Sequence, residues 1–132
     1  MTHRNKTLKR IVLKIGTSIL TDEAGQLSRD RIEKLCGQVL KAIKSGCETV
    51  LVSSGSIACG MDVLGLKLRP KELPKLQACA AIGQGMLMKL YEEYFSKRGY
   101  HTAQVLLTRD GIEDHERYLN ARNTLLTLLK MG

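Results

Sequence analysis

Two short apolar runs separated by one amphipathic stretch constrain this chain most. The first, Arg10-Ile11-Val12-Leu13-Lys14-Ile15-Gly16, carries apolar residues on both faces of an extended segment. That is the pattern of a parallel strand covered by helices on each side. Apolar residues then recur at positions 32, 35, 36, 39, 40 and 43, one face of an α-helix. Ser28 stands where an N-cap belongs, Asp30 falls in the first turn, and Gly46 stands at the C′ position. The second run, Thr49-Val50-Leu51-Val52-Ser53, follows at once. A strand, a helix and a strand at this spacing make a β-α-β unit, whose right-handed crossover leaves the two strands parallel.

The alternation continues. Gly55 to Leu64 reads as a short helix, and a polar stretch with Arg69 and Pro70 follows. Pro74 suits the first turn of a long helix that runs to about Lys97 and closes at Gly99. Ala103-Gln104-Val105-Leu106-Leu107 reads as a third strand. A charged loop, TRDGIEDHER, then leads to a last helix with Tyr118, Arg122, Leu125, Leu126 and Leu129 along one side. The class is α/β with a largely parallel sheet. Three strands leave long edges exposed, a liability that complete domains avoid. The pattern is therefore expected to be the first part of a larger domain, with Met131-Gly132 at the point where a further crossover would begin.

Composition narrows the function classes. The 132 residues are 43% hydrophobic, enough for a packed core and too many for a disordered chain. A net charge of +8 invites a nucleic-acid reading, but only 4% of residues are aromatic, leaving few platforms for base stacking. The charge is spread out apart from Arg4, Lys6, Lys9 and Arg10, and residues 1–8 read as a basic tail ahead of a domain over 9–132. A solvated surface around a site for anionic small molecules accounts for it, and nucleic acid is not the expected partner. The cysteines, Cys36, Cys47, Cys59 and Cys79, form no CxxC pair or Cys/His metal pattern and read as core packing. No stretch has the make-up of a secretory signal, and no apolar run approaches the roughly 18 residues that span a bilayer. A reduced, cytoplasmic protein away from membranes is the expectation.

In open α/β sheets ligands sit beyond the carboxyl ends of the strands, and two such ends are unusual here. In Lys14-Ile15-Gly16-Thr17-Ser18 an ammonium group interrupts a strand that otherwise avoids water. A buried, unpaired lysine costs several kcal/mol, on the order set by desolvation, unless an anion meets it or it loses its proton. Gly16 lets backbone approach a ligand closely and tolerates unusual dihedrals. A phosphate site with Lys14 as a point charge is one reading; a lysine snorkelling to solvent is the other. No Walker A motif is present. The second end is Val52-Ser53-Ser54-Gly55-Ser56. Here the first amides of a helix are placed to hold a carboxylate or phosphate, with Ser54 adding a hydroxyl. The alternative is a plain N-cap, which needs only one serine.

Other features carry less. Ser54 lacks the G-x-S-x-G setting of an esterase nucleophile. Gly83 and Gly85, in Ala80-Ala81-Ile82-Gly83-Gln84-Gly85, read as close helix packing or a subunit contact. Arg109, Asp110, Arg117, Asn120 and Arg122 read as a solvated charged face.

The segments IVLKIGTSILT, VLVSSGSIACG, QACAAIGQGMLMKLYEEYF and QVLLTRDGIEDHERYLNARNTLLTLL, in that order, resemble the glutamate 5-kinase (γ-glutamyl kinase) family of the amino acid kinase superfamily. The resemblance runs from about Lys9 to the last residue. It implies a three-layer α-β-α sandwich with a mainly parallel sheet, present here only in its N-terminal part. It implies ATP-dependent phosphorylation of the L-glutamate side-chain carboxylate to γ-glutamyl phosphate, the first step of proline biosynthesis, with Mg²⁺. By the same resemblance Lys14 is the catalytic lysine on the ATP phosphates and Gly16 belongs to the adjoining ATP loop. The resemblance likewise implies that Ser54 and Gly55 bind glutamate. The family's catalytic domain is roughly twice as long, and its other half supplies more glutamate contacts, most of the ATP pocket and a second phosphate-binding lysine. Many members also carry a C-terminal RNA-modification-type domain. The chain alone is thus expected to have little or no kinase activity. The full-length enzyme is expected to be a homo-oligomer, with γ-glutamyl phosphate reductase as a functional partner. The alternatives are another amino acid kinase, acting on acetylglutamate, aspartate, carbamate or a nucleoside monophosphate, or a non-catalytic interaction fragment.

Overall fold

The computed structural model describes residues 9–132; the expected basic tail, residues 1–8, lies outside them. β1 (Arg10–Ile15) pairs in parallel with β2 (Glu48–Ser53), with Ile11 opposite Thr49 and Lys14 opposite Val52. The crossover between them is α2 (Arg29–Lys44), entered as expected at Ser28, whose hydroxyl accepts from the Arg31 amide. Gly46 follows the helix at φ +84, a left-handed conformation that suits glycine. At the outer end of the pair, Arg10 Nε donates to Glu48 Oε2 at 2.6 Å.

β1 also leads into a turn that periodicity missed. α1 (Thr17–Leu20) is one helical turn, and an antiparallel bridge then joins Thr21 to Leu27. Asp22 organises the turn between them, its Oδ1 accepting from the amides of Ala24 and Gln26, each at 2.9 Å. Arg31 Nη1 donates to the carbonyls of Ser18 and Thr21 and ties α2 to this turn.

After β2 come α3 (Ser56–Val63) and α4 (Leu73–Ser96), the latter with Pro74 in its first turn as expected. The core lies between the sheet and α2 and α4. Ile32, Cys36, Val39 and Leu40 of α2 and Leu87, Leu90, Tyr91 and Phe95 of α4 are buried in it together with Ile15 and Cys59. Leu13 and Leu51 of the strands pack against that cluster. The opposite sheet face is open: Val12 is 63% and Val52 50% exposed. The expectation that β1 is covered on both faces is therefore corrected for the described residues. Side chains alternate across a strand, so residues 11, 13 and 15 turn toward the helices while 10, 12 and 14 turn away. One of the two helical layers of a three-layer sandwich is seen.

The expected third strand at 103–107 is also corrected: it forms no ladder, and Leu106 is 74% exposed. A strand needs a partner edge, and none meets this segment among the described residues. Its start is held instead by Glu92, whose Oε2 accepts from the amide and hydroxyl of Thr102 at 2.9 and 2.5 Å. Those bonds hold the Glu92 carboxyl below the usual range. The charged loop expected after it is itself largely helical, as α5 (Arg109–Glu113) and the first turn of α6 (His115–Met131), and the expected last helix is present as α6. Thr108 caps α5 and Asp114 caps α6, each accepting an amide three residues on. No residue of α5 or α6 is buried. No described helix is long and apolar enough to cross a membrane.

α3 and α4 touch backbone to backbone. A Cβ on Gly83 would lie 1.7 Å from the Ser56 carbonyl oxygen, and one on Gly60 1.8 Å from that of Cys79. The small-residue stretch therefore includes a true helix crossing at Gly83, whereas a Cβ on Gly85 would meet nothing within 4 Å. All four cysteines are buried and free, in keeping with a packing role. Burial pushes the Cys36 and Cys59 thiols up to about 11.

Two predictions follow from this packing. Gly83→Ala forces the crossing apart and lowers stability by about 3 kcal/mol or more, beyond ordinary overpacking, while Gly85→Ala raises it by about 0.5–1 kcal/mol through helix propensity; denaturant midpoints separate the two. For the thiols, the folded state keeps its protons to a higher pH than an ordinary thiol at 9.0. That contribution is complete below pH 9 and drains away toward pH 11. Unfolding free energy is thus expected to fall across that window, and less steeply in Cys36→Ser than in the parent chain.

Candidate functional site

The ends of β1 and β2 lie side by side because the strands are parallel and in register to their last residues. The Ser54 amide donates to the Ile15 carbonyl at 2.9 Å. One hydrogen bond thus joins the serine turn to the Lys14-Gly16 end. The structure brings together the four residues singled out from the sequence: Lys14 and Gly16 at one strand end, Ser54 and Gly55 at the other.

Lys14 is exposed. The expectation of a lysine buried among apolar neighbours is corrected: it shares the open sheet face with Val12 and Val52. Its ammonium still stays at the strand end, because Nζ lies 3.6 Å from where a Cβ on Gly16 would be. Gly16 itself has φ −74 and ψ 158, which any residue adopts. What it offers is therefore space rather than unusual dihedrals, since the missing side chain leaves room beside the ammonium.

Gly55 is the N-cap of α3, at φ +144, with no side-chain cap. That conformation favours glycine, and a Cβ there would also meet Leu20 Cδ1 at 2.7 Å. The plain N-cap reading of the serines is thus not the one realised. Ser54 is exposed, while Ser53 shares a 2.8 Å hydrogen bond with the Tyr91 hydroxyl. The first amides of α3 face no capping group, and the positive end of the helix dipole adds to them. With Lys14 nearby, the two strand ends form an edge suited to an anion.

Leu20 and Tyr91 were not legible as parts of this edge. Leu20 is wholly buried and packs on Gly55. Tyr91 is 4% exposed, and its burial raises the phenol pKa, so the hydroxyl keeps its proton. Only the apolar spacing of α4 hinted that Tyr91 faces inward. Arg109, Asp110, Arg117, Asn120 and Arg122 are exposed on α5 and α6, as a charged solvated face would be. A concavity of about 170 Å³ between α2 and α4 is lined by Arg29, Glu33, Tyr94 and Arg98 among others, none of them at the strand ends. Among the described residues no three His, Cys, Asp or Glu side chains gather where they could hold a metal ion.

Residues 9–132 match the model of the amino acid kinase family. The glutamate 5-kinase of Moorella thermoacetica is 48% identical over 124 residues, which cover 94% of this chain and 33% of the relative. That of Cupriavidus metallidurans is 52% identical over the same shares, and that of Thermoanaerobacter sp. strain X514 is 50% identical over 93% of this chain and 33% of its own. The chain spans about a third of the length of these relatives. With a parallel pair whose ends carry a lysine and an uncapped helix start, and with a match over residues 9–132, the chain belongs to the amino acid kinase family.

Proposed function

We propose that this chain is the N-terminal part of a glutamate 5-kinase catalytic domain, which transfers the γ-phosphoryl group of ATP to the side-chain carboxylate of L-glutamate. The observation that carries the reading is the Ser54–Ile15 hydrogen bond at 2.9 Å. It holds a lysine and a helix N-terminus at one edge, where an anionic donor and an anionic acceptor can be brought together. The identity to proteins named glutamate 5-kinase supports glutamate as the acceptor over the other amino acid kinase substrates.

The chemistry asks for what the edge offers. A glutamate side chain, with a pKa of about 4.3, is ionised at neutral pH and needs no general base. The obstacle is repulsion between the carboxylate and the nucleotide. A carboxylate oxygen forms the new bond to the γ-phosphorus as the bond to the β–γ bridging oxygen breaks, and ADP carries away that electron pair. Lys14 neutralises charge on the transferring group, while Gly16 leaves room for phosphate oxygens beside it. The α3 amides, with Ser54 and Gly55, hold the glutamate. Mg²⁺ bound with ATP supplies further charge neutralisation. Such catalysis is positioning plus electrostatics, with no covalent enzyme intermediate.

The product belongs to proline biosynthesis in this reading. An acyl phosphate is prone to hydrolysis, which makes γ-glutamyl phosphate reductase the natural functional partner of a homo-oligomeric complete enzyme. The open sheet face beside Lys14, with Val12 and Val52 exposed, leaves both substrates in contact with water, so the 132 residues alone are expected to turn over little.

In a complete kinase carrying this segment, Lys14→Ala is expected to lower kcat by about 10²-fold or more, the scale for losing one transition-state charge contact, with glutamate KM little changed. Ser54→Ala is expected to raise glutamate KM by roughly tenfold, the worth of one hydrogen bond to a charged group. Steady-state kinetics checks both; equal loss of glutamate affinity with turnover preserved reverses the roles. A separate assay incubates residues 1–132 with ATP, glutamate and hydroxylamine. No γ-glutamyl hydroxamate is expected, and a rate like that of a complete relative overturns the inactivity.

A further inference from the structure

We propose that Tyr91, through its hydrogen bond to Ser53, is a positioning residue that sets where the Ser54-Gly55 turn presents its anion-binding groups. The inference rests on the assignment of Ser54 and Gly55 to glutamate made above, and it adds a residue on a different element.

The turn has two flanks, and α4 touches both. On one side the Ser53 hydroxyl meets the Tyr91 hydroxyl at 2.8 Å. On the other, the Ser56 carbonyl lies against Gly83, so closely that a Cβ there would be 1.7 Å away. Gly83 and Tyr91 are about 12 Å apart along one helix, from the rise of 1.5 Å per residue. A continuous helix fixes that separation, so residues 54 and 55 are framed between two anchors on one rigid body. The β1 side adds a third anchor, Ser54 N to Ile15 O at 2.9 Å.

Tyr91 is the polar member of this frame. Ser53 ends β2 and is half-buried, and its side-chain torsion is set by where its hydroxyl finds a partner. With Tyr91 as that partner, Ser53 is engaged with the core, which leaves Ser54 as the exposed serine of the turn. The buried phenol has no other hydrogen-bond partner among the described residues, so the two hydroxyls hold each other. Without the bond, the Ser53 side chain loses its fixed torsion, and the turn is left to the Ser54–Ile15 hydrogen bond and the Gly83 contact alone, which lets the first amides of α3 shift. Groups that bind a carboxylate lose affinity with such misplacement. Lys14 sits on the neighbouring strand and keeps its own position, so phosphoryl transfer depends on the frame much less.

The test uses the complete kinase carrying this segment. Tyr91→Phe keeps the ring and deletes only the hydroxyl; Ser53→Ala deletes the other half of the bond. Each is expected to raise glutamate KM about fivefold, on the scale of one net hydrogen bond, with ATP KM and kcat within about twofold. The double variant is expected to be no worse than the more affected single one, since both remove the same interaction. Ser54→Ala serves as the reference. If it raises glutamate KM while Tyr91→Phe does not, the positioning role is overturned and the site assignment stands. If both KM values rise together as thermal stability drops, or if the single effects add, Tyr91 is merely structural and the proposal fails. If Ser54→Ala itself leaves glutamate KM unmoved, the site assignment falls and takes this inference with it.

Discussion

The parallel pairing of β1 with β2 is the constraint on which the rest of this structure depends. Its register places Ile15 opposite Ser53, so both strands end at one level. Each end then runs directly into a helix, α1 after Gly16 and α3 after Gly55. An antiparallel pair would send these ends to opposite edges and separate the lysine from the helix amides. The crossover through α2 is what makes the pairing parallel, and the burial of Ile32, Cys36, Val39 and Leu40 is what holds α2 to the sheet.

Around that pairing the structure divides into a closed side and an open side. On the closed side, core residues are buried together and α3 and α4 meet so closely at two points that a Cβ on Gly60 or Gly83 would lie 1.8 or 1.7 Å from a backbone oxygen. Packing of this density is intolerant of an added methyl group. On the open side Lys14 stands on a sheet face that nothing among the described residues covers. Its charge there is screened by water, and its effect on an anion grows as water is excluded from around it. The positive groups are thus mounted on a rigid frame, while the strength of their field is set by what covers the face.

Much of the frame was legible in the residues. The N-cap at Ser28, the left-handed Gly46, the start of α4 at Pro74 and the inward spacing of α2 were all readable, because each expresses a local rule of the helix. The strand at 103–107 was misread because its apolar run says nothing about whether a partner edge exists. Helix α5 and the first turn of α6 were hidden inside a charged stretch, although Thr108 and Asp114 each stand at a cap, while the body of α6 was readable from its apolar spacing. Lys14 was placed at the right strand end for an imperfect reason: it lies on an open face rather than buried among apolar neighbours.

The sequence by itself determined the β-α-β order, the chain direction of both strands and the residues at their carboxyl ends, since these follow from periodicity, capping and the handedness of the crossover. Only the tertiary structure decided that Leu20 locks onto Gly55, that Gly83 bears on Ser56, and that Ser53 turns inward to Tyr91 while Ser54 stays exposed. Those contacts join residues far apart in the chain. Their distances depend on how whole elements pack, which no local pattern of side chains encodes.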